Sequence, residues 1–389
     1  MAWIKRLCVA CCFAGSLAFV AAPALALDSF VFEAPGADAA LMKVLSGASL
    51  TGQAMRDRRT RSQDVFAAAR ADYARLLGAL YAQGYYSGVI RISIDGREAA
   101  SIAPLDAPAS VTAVSIRITP GPRFAFSRTS VVPLATGTVL PEGFAEGAPA
   151  LSGEIVAATG AAIEAWRDIG HAKAAVATQS ITADHRSAQL AAEVTLAPGP
   201  RLRFGTLSLA GYSRMDPRRL AEIAGFPSGK VFSPAALAEV RARLRRSGVF
   251  SAVSLTEAET PRANGTLDVA LLVAEEKPRR FGFGGDISTL EGLSVSGYWL
   301  HRNLLGGGER LRLEAAISGI GIGTGGPDYT LGARLDRPAT MTPDTSAFVL
   351  ANLARLQEAD FSSSMLRLGF GLSHYFSDRL TGEAAVSYS

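Results

Sequence analysis

The chain has 389 residues, enough for several domains, and its 48% hydrophobic and 19% charged content excludes an intrinsically disordered protein. A formal net charge of +4, from 39 basic and 35 acidic side chains, is too small to point to nucleic acid. All three cysteines, Cys8, Cys11 and Cys12, lie close to the N-terminus, so the rest of the chain offers no disulfide, thiol nucleophile or thiolate-bound metal.

Those cysteines sit in a segment patterned as a secretory signal peptide. Lys5 and Arg6 precede an apolar run from Leu7 to Val20, and Pro23-Ala24-Leu25-Ala26 supplies an Ala-x-Ala cleavage site. The run is short for a membrane anchor and ends at a proline. Residues 1–26 are expected to be removed, and losing Lys5 and Arg6 takes the net charge to +2. No later apolar run is long enough for a spanning helix, so an exported chain of this kind enters a membrane only as a β-barrel.

Beyond the signal, Phe30-Val31-Phe32 reads as an opening strand, and the rest of 28–59 is poorly patterned. From Asp64 to Gln83, Phe66, Ala69, Tyr73, Leu76, Leu77 and Leu80 fall on one helical face, and Gly84 ends the helix. Strands are expected over Ser87–Ile94 and Val111–Ile118, closing at Thr119-Pro120-Gly121-Pro122-Arg123.

That phrase returns. LAPGPR at 196–201 repeats ITPGPR at 118–123 with a spacing of 78, and VAEEKPRR at 273–280 follows as a weaker third version. The helix-to-strand junction repeats too, as Gly84-Tyr85-Tyr86-Ser87, Gly170-His171-Ala172-Lys173 and Gly248-Val249-Phe250-Ser251. Three modules repeating at nearly 80 residues follow, at 27–119, with a longer start, 120–198 and 199–278. The third is clearest. Arg203–Ala210 is a strand, Asp216-Pro217 and Ser233-Pro234 start two helices, and Ser251–Glu257 pairs with Thr266–Val273 as a hairpin. Its order is β-α-α-β-β.

In residues 279–389 the periodicity changes to two, with Phe281, Phe283, Ile287, Leu293 and Val295 alternating among glycines and polar residues. Seven strands are expected, near 281–290, 293–301, 309–318, 328–337, 346–355, 364–376 and 379–388, each near the length of a transmembrane β-strand.

The repeated module, with its Gly248-Val249-Phe250 entry, resembles POTRA domains, the periplasmic modules of the BamA/TamA family of outer-membrane assembly proteins. The run Trp299-Leu300-His301-Arg302-Asn303-Leu304-Leu305-Gly306-Gly307-Gly308-Glu309 is similar to the family's His-Arg-Asn-Leu-Phe-Gly-x-Gly-Glu signature. His301, Arg302, Asn303, Leu304, Gly306, Gly308 and Glu309 match it, and Leu305 replaces the Phe. Three modules are closest to the TamA-type branch.

The resemblance implies a fold of α+β POTRA repeats (β-α-α-β-β) followed by an antiparallel transmembrane β-barrel. That barrel is incomplete here, because seven strands are fewer than family members close. The family's terminal aromatic and Arg-Gly-Phe loop motif are absent too, so the sequence reads as a truncated product.

The implied activity is assembly of outer-membrane proteins in a bacterial outer membrane, with the modules in the periplasm. Unfolded β-barrel or autotransporter clients would be received by strand augmentation, and their insertion templated by the first strand at Phe281, Gly282, Phe283, Gly284, Gly285, Asp286 and Ile287. Glycines there weaken pairing and would leave a seam able to open. The implied partners are a TamB-like protein anchored in the inner membrane, the clients and outer-membrane lipid. Two other readings stay open: a two-partner secretion pore exporting a dedicated protein, and a scaffold that only tethers partners.

Neither an enzymatic activity nor a cofactor is expected. No Gly-x-Ser-x-Gly elbow occurs, Gly225–Lys230 lacks the spacing of a phosphate loop, and His171, His185, His301 and His374 lack ligand spacing. Arg241, Arg243, Arg245 and Arg246 crowd one helix of the third module. They read as a solvated face, or as a surface for a partner or anionic lipid headgroups.

Overall fold

A computed structural model describes residues 29–57, 61–289, 292–321, 326–357 and 360–389; the expected signal peptide and its cleavage point lie outside them. The chain divides into two compact units, one built from residues up to Ser130 with 140–158 and 179–193, the other from 131–139, 159–178 and 194–389.

The first unit opens with β1 (Ser29–Glu33), α1 (Ala39–Ala48), α2 (Leu50–Arg56), α3 (Ser62–Ala82), β2 (Val89–Ile94), the two-residue β3 (Arg97–Glu98) and β4 (Ala113–Thr119). The strand order is β1-β4-β2-β3, with β1 parallel and β2 antiparallel to the central β4. Val114, Ile116 and Ile118 alternate on β4 and are buried against Val65, Phe66, Ala69, Leu76 and Leu80 of α3. Helices α1 and α2 occupy the stretch whose pattern was weak. Each has a local cap, Asp38 accepting from Leu41 N at 2.7 Å and Ser49 Oγ from Gly52 N at 2.9 Å. The fold adds the fully buried Asp72 of α3, which accepts from Ser49 Oγ (2.7 Å), Leu50 N (2.6 Å) and Thr51 N (3.1 Å) at the start of α2.

Next come β5 (Ala125–Val132), α4 (Ser152–Asp168), β6 (Ala175–Asp184) and β7 (Gln189–Ala197), with strand order β5-β7-β6. The expected β-α-α-β-β order does not hold in this module, which has a single helix. Between β5 and α4 the chain carries Pro133, Pro141 and Pro149, and Gly137 and Gly147 adopt φ of +83° and +82°, so no helix propagates.

The third module does follow the order: β8 (Arg203–Ala210), α5 (Pro217–Ala224), α6 (Pro234–Arg246), β9 (Phe250–Glu257) and β10 (Thr266–Glu275). Asp216 caps α5 by accepting from Arg218 N and Arg219 N, and Gly225 ends it at φ +55°. In sheet β8-β10-β9, β10 lies parallel to β8 and antiparallel to β9. Leu271 and Val273 of β10 pack with Leu220 and Ile223 of α5 and Val240 and Leu244 of α6. All three small sheets place the last long strand between the first and the middle one.

The repeated Pro-Gly-Pro-Arg phrase is a repeated joint. Phe124 N donates to Gly84 O and Leu202 N to Gly170 O, each at 2.8 Å. The arginine of each phrase bonds the carbonyl one residue earlier: Arg123 Nε to Gln83 O at 3.2 Å, Arg201 Nε to Ile169 O at 3.0 Å. Each glycine has positive φ, +83° and +107°, which exposes those carbonyls past the helix end.

The last sheet is an antiparallel meander of seven strands: β11 (Arg279–Ser288), β12 (Gly292–Arg302), β13 (Arg310–Ile320), β14 (Asp328–Arg337), β15 (Thr345–Gln357), β16 (Ser362–Ser377) and β17 (Leu380–Tyr388). Each strand pairs with its sequence neighbours, and the sheet is open, with β11 and β17 at its edges. No helix among the described residues is long and apolar enough to cross a membrane.

Candidate functional site: a two-faced sheet and its joint to the third module

Directly opposed residues of an antiparallel pair share a face, so the register assigns every side chain. One row runs Phe281, Trp299, Leu313, Ala333, Ala351, Leu368, Tyr388 across all seven strands. A second runs Phe283, Gly297, Ala315, Leu331, Leu353, Leu366. This face is apolar, and among the described residues its side chains stand exposed: Phe283 88%, Ile287 82%, Phe370 64% and Val386 65%.

The other face reads Gly282, Tyr298, Glu314, Gly332, Asn352, Arg367. It carries ion pairs Arg312–Glu314 and Arg334–Asp336, each at 2.9 Å, and the guanidinium of Arg312 lies 4.5 Å from the Tyr298 ring centre.

Charges bound the apolar face at both ends. Arg279 and Arg337 lie on it at the end nearer the third module, and Arg355, paired with Tyr329, at the other. From Ala347, opposite Arg337, to Arg355 is about 27 Å of extended chain at ~3.4 Å per residue. That is close to the ~25 Å apolar band of outer-membrane barrels.

The expected signature residues form the turn between β12 and β13, where they hold a tight loop against the third module. Asn303 adopts φ +63°, and its Oδ1 accepts from Gly308 N at 2.9 Å. Leu304 N donates to Glu309 O at 2.9 Å, and the nearly buried Glu309 carboxylate accepts from Gly307 N at 2.9 Å. Asp216 N, at the cap of α5, donates to Gly306 O at 2.8 Å. Gly308 has φ +84°, and a Cβ there would lie 3.1 Å from Ile223 Cδ1 and 3.3 Å from both Met215 Cε and Pro338 Cγ. Arg302 ties the strand end to the connector, donating from its backbone N to Pro278 O (2.7 Å) and from Nη1 to Lys277 O (3.1 Å). His301 lies between Arg279 and Leu311 on the apolar face.

Arg219 of α5 bridges two turns of the sheet. Nε donates to Gly307 O at 3.4 Å, Nη2 to Pro338 O at 2.5 Å and Nη1 to Ala339 O at 3.3 Å. The turn between β14 and β15 is gripped again by α6, where Arg243 Nη2 and Arg246 Nη2 bond Asp344 at 2.7 and 2.6 Å. The arginine run therefore divides. Arg243 and Arg246 serve this joint, while Arg241 and Arg245 lie on a different flank of the helix, as residues two apart must.

Glu275 holds the joint from the other side. It ends β10, just before the connector into β11, and accepts from the N–H groups of Ser213 (2.7 Å), Arg214 (2.8 Å) and Met215 (3.0 Å). Burial alone would raise its pKa, but those three N–H groups and the Arg214 guanidinium outweigh it and hold the carboxyl at about 2.

Sequence reasoning missed Arg219, Asp344 and Glu275, because each acts across 60 or more residues with no local pattern. The glycines of β11 are also not equivalent. A Cβ at Gly282 would overlap the Tyr298 ring, whereas at Gly285 the nearest atom is Ser294 O at 3.7 Å.

No family model matches the chain, and no curated protein matches it. Among solved structures it is similar to BamA from Haemophilus ducreyi lacking POTRA domains 1-3, at 16% identity and a TM-score of 0.48, over 65% of this chain and 47% of that one. It is also similar to Haemophilus influenzae BamA POTRA3-5, at 15% identity and a TM-score of 0.45, over 64% of this chain and 96% of that one. CdiB from Escherichia coli matches at 16% identity and a TM-score of 0.36, over 66% of this chain and 48% of that one. The chain thus spans about half the length of the first BamA structure and of CdiB.

Proposed function

We propose that the chain is an outer-membrane assembly factor of the TamA type, with α/β modules in the periplasm and the seven-stranded sheet as part of a membrane β-barrel. The observation that carries this reading is the two-faced sheet. An uncovered apolar face of this extent would be a liability in water, and an open sheet edge would be one in lipid. A bilayer removes the first problem, and pairing of β11 and β17 with further strands removes the second.

The work requires no acid or base, because strand addition is backbone hydrogen bonding. An unfolded β-barrel or autotransporter client adds first to a module edge such as β6, exposed along nearly its whole length, and then to β11. Glycines at 282, 284 and 285 weaken pairing of β11 with its neighbours and let the seam exchange strands. The locked third module holds the base of β11 still during that exchange. A TamB-like protein reaching from the inner membrane is the partner we assign to the modules.

The test places a photo-crosslinking residue at Ile287, which is exposed on β11, in the complete protein in native membranes with a client co-expressed. Crosslinks to the terminal strand of the client support strand templating. Crosslinks only to the protein's own strands favour a closed secretion pore or a scaffold.

A further inference from the structure

On the apolar face, at the end nearer the third module, lies a groove of about 750 Å³. Its floor is the row Arg337, Ala347, Leu372, Ala384, where two alanines leave space between larger neighbours. Val349 and Phe370 form the adjoining row, and Leu305, 76% exposed, overhangs from the signature turn.

The groove is apolar along its length and cationic at one end. Arg337 has a side chain 56% exposed and faces the Glu309 carboxylate, itself only 9% exposed, through Nε at 3.9 Å. Gly307 N bonds Glu309 Oε2 while Oε1 faces Nε, so the carboxylate offsets part of the guanidinium's charge and touches it on the Nε side alone. Among the described residues no protein acceptor lies on the Nη groups of Arg337. The end of the groove therefore offers the N–H donors of two Nη groups, on a guanidinium loosely paired with Glu309, where the apolar band meets water. A planar guanidinium in that position matches a phosphate.

We propose that this groove binds one phospholipid, with an acyl chain against Val349, Phe370 and Leu372 and the phosphate on Arg337. The assignment rests on the membrane reading above. It adds a defined site to that reading, whose overhanging turn is also the one that α5 holds.

The full-length protein would be reconstituted in discs of phosphatidylethanolamine and phosphatidylglycerol, scored for insertion by protease protection, and released into mild detergent for native mass spectrometry. The wild type should retain one phospholipid. R337Q should lower that occupancy about tenfold, the loss of one charge-assisted hydrogen-bonding group. A384L, which fills the floor without touching the charge, should lower it as well. Inserted variants that hold as much lipid as the wild type would overturn the site, as would a second copy of the chain in place of the lipid mass. A protein that never enters the discs would overturn the membrane reading and the site with it.

Discussion

Asp344 is clasped by Arg243 across 101 residues of sequence: Nε lies 3.0 Å from both carboxylate oxygens and Nη2 lies 2.7 Å from Oδ2. Arg246 adds a bond of 2.6 Å to Oδ1 and lays its guanidinium 3.7 Å from the Tyr375 ring centre. A helix of the third module and a turn of the sheet thus share one carboxylate. Burial would raise the pKa of Asp344, but the two arginines outweigh it and hold the value below the ordinary carboxylate range.

Removing that charge should loosen the joint. D344N leaves two arginines facing a neutral amide in a partly buried site, and should cost about 3 kcal/mol. A double-mutant cycle with R243A, read by thermal unfolding of the intact protein, should give a coupling of at least about 1 kcal/mol. Additive single effects would show that the pair is idle.

Glu275 makes the joint acid-sensitive in a defined window. Its folded pKa lies below the unfolded value of 4.5, so its contribution is complete above about pH 4.5 and is lost as pH falls toward 2. The linkage amounts to about 3 kcal/mol, and amide hydrogen-exchange protection at Ser213, Arg214 and Met215 should fall through that range. In E275Q the protection should be low throughout and flat with pH; a wild-type acid profile in E275Q would place the titration elsewhere.

The signature turn is predicted to tolerate no side chain at 308. Gly308 has φ +84° and is enclosed by Ile223, Met215 and Pro338, so G308A combines backbone strain with overpacking. A loss of about 2 kcal/mol is expected. R219K should act on the same joint, because one ammonium cannot span the carbonyls of Gly307, Pro338 and Ala339. Faster exchange in both turns, 303–309 and 338–344, would report it.

Glycines of β11 should divide into two classes. G285V has open space and should stiffen the first strand, whereas G282V pushes the Tyr298 ring off Arg312. If a weak seam is what client insertion needs, G285V alone should slow insertion while raising the unfolding temperature. Equal insertion rates in G285V and the wild type would remove the seam from the mechanism.

Much of the architecture was determined by sequence alone, where the physics is local. Period-two alternation from Phe281 onward placed all seven strands of the last sheet to within about two residues at each end, because one face of each strand is apolar between its charged or polar ends. The Asp216-Pro217 start and Gly225 end of α5 were legible for the same reason, since caps are chemistry between near neighbours. The repeated Pro-Gly-Pro-Arg phrase was visible as a repeat, though not as the bond from Arg123 to Gln83 O and from Arg201 to Ile169 O that explains it. Only the tertiary structure decided what holds the third module to the sheet. Arg243 and Arg246 read as a solvated face or a partner or lipid surface until Asp344 was brought to them, and the N–H groups of Leu50 and Thr51 at the start of α2 meet Asp72 only in the fold. Those choices depend on which carboxylate arrives from 20 to 100 residues away, and a burial pattern along one strand or helix carries no record of that.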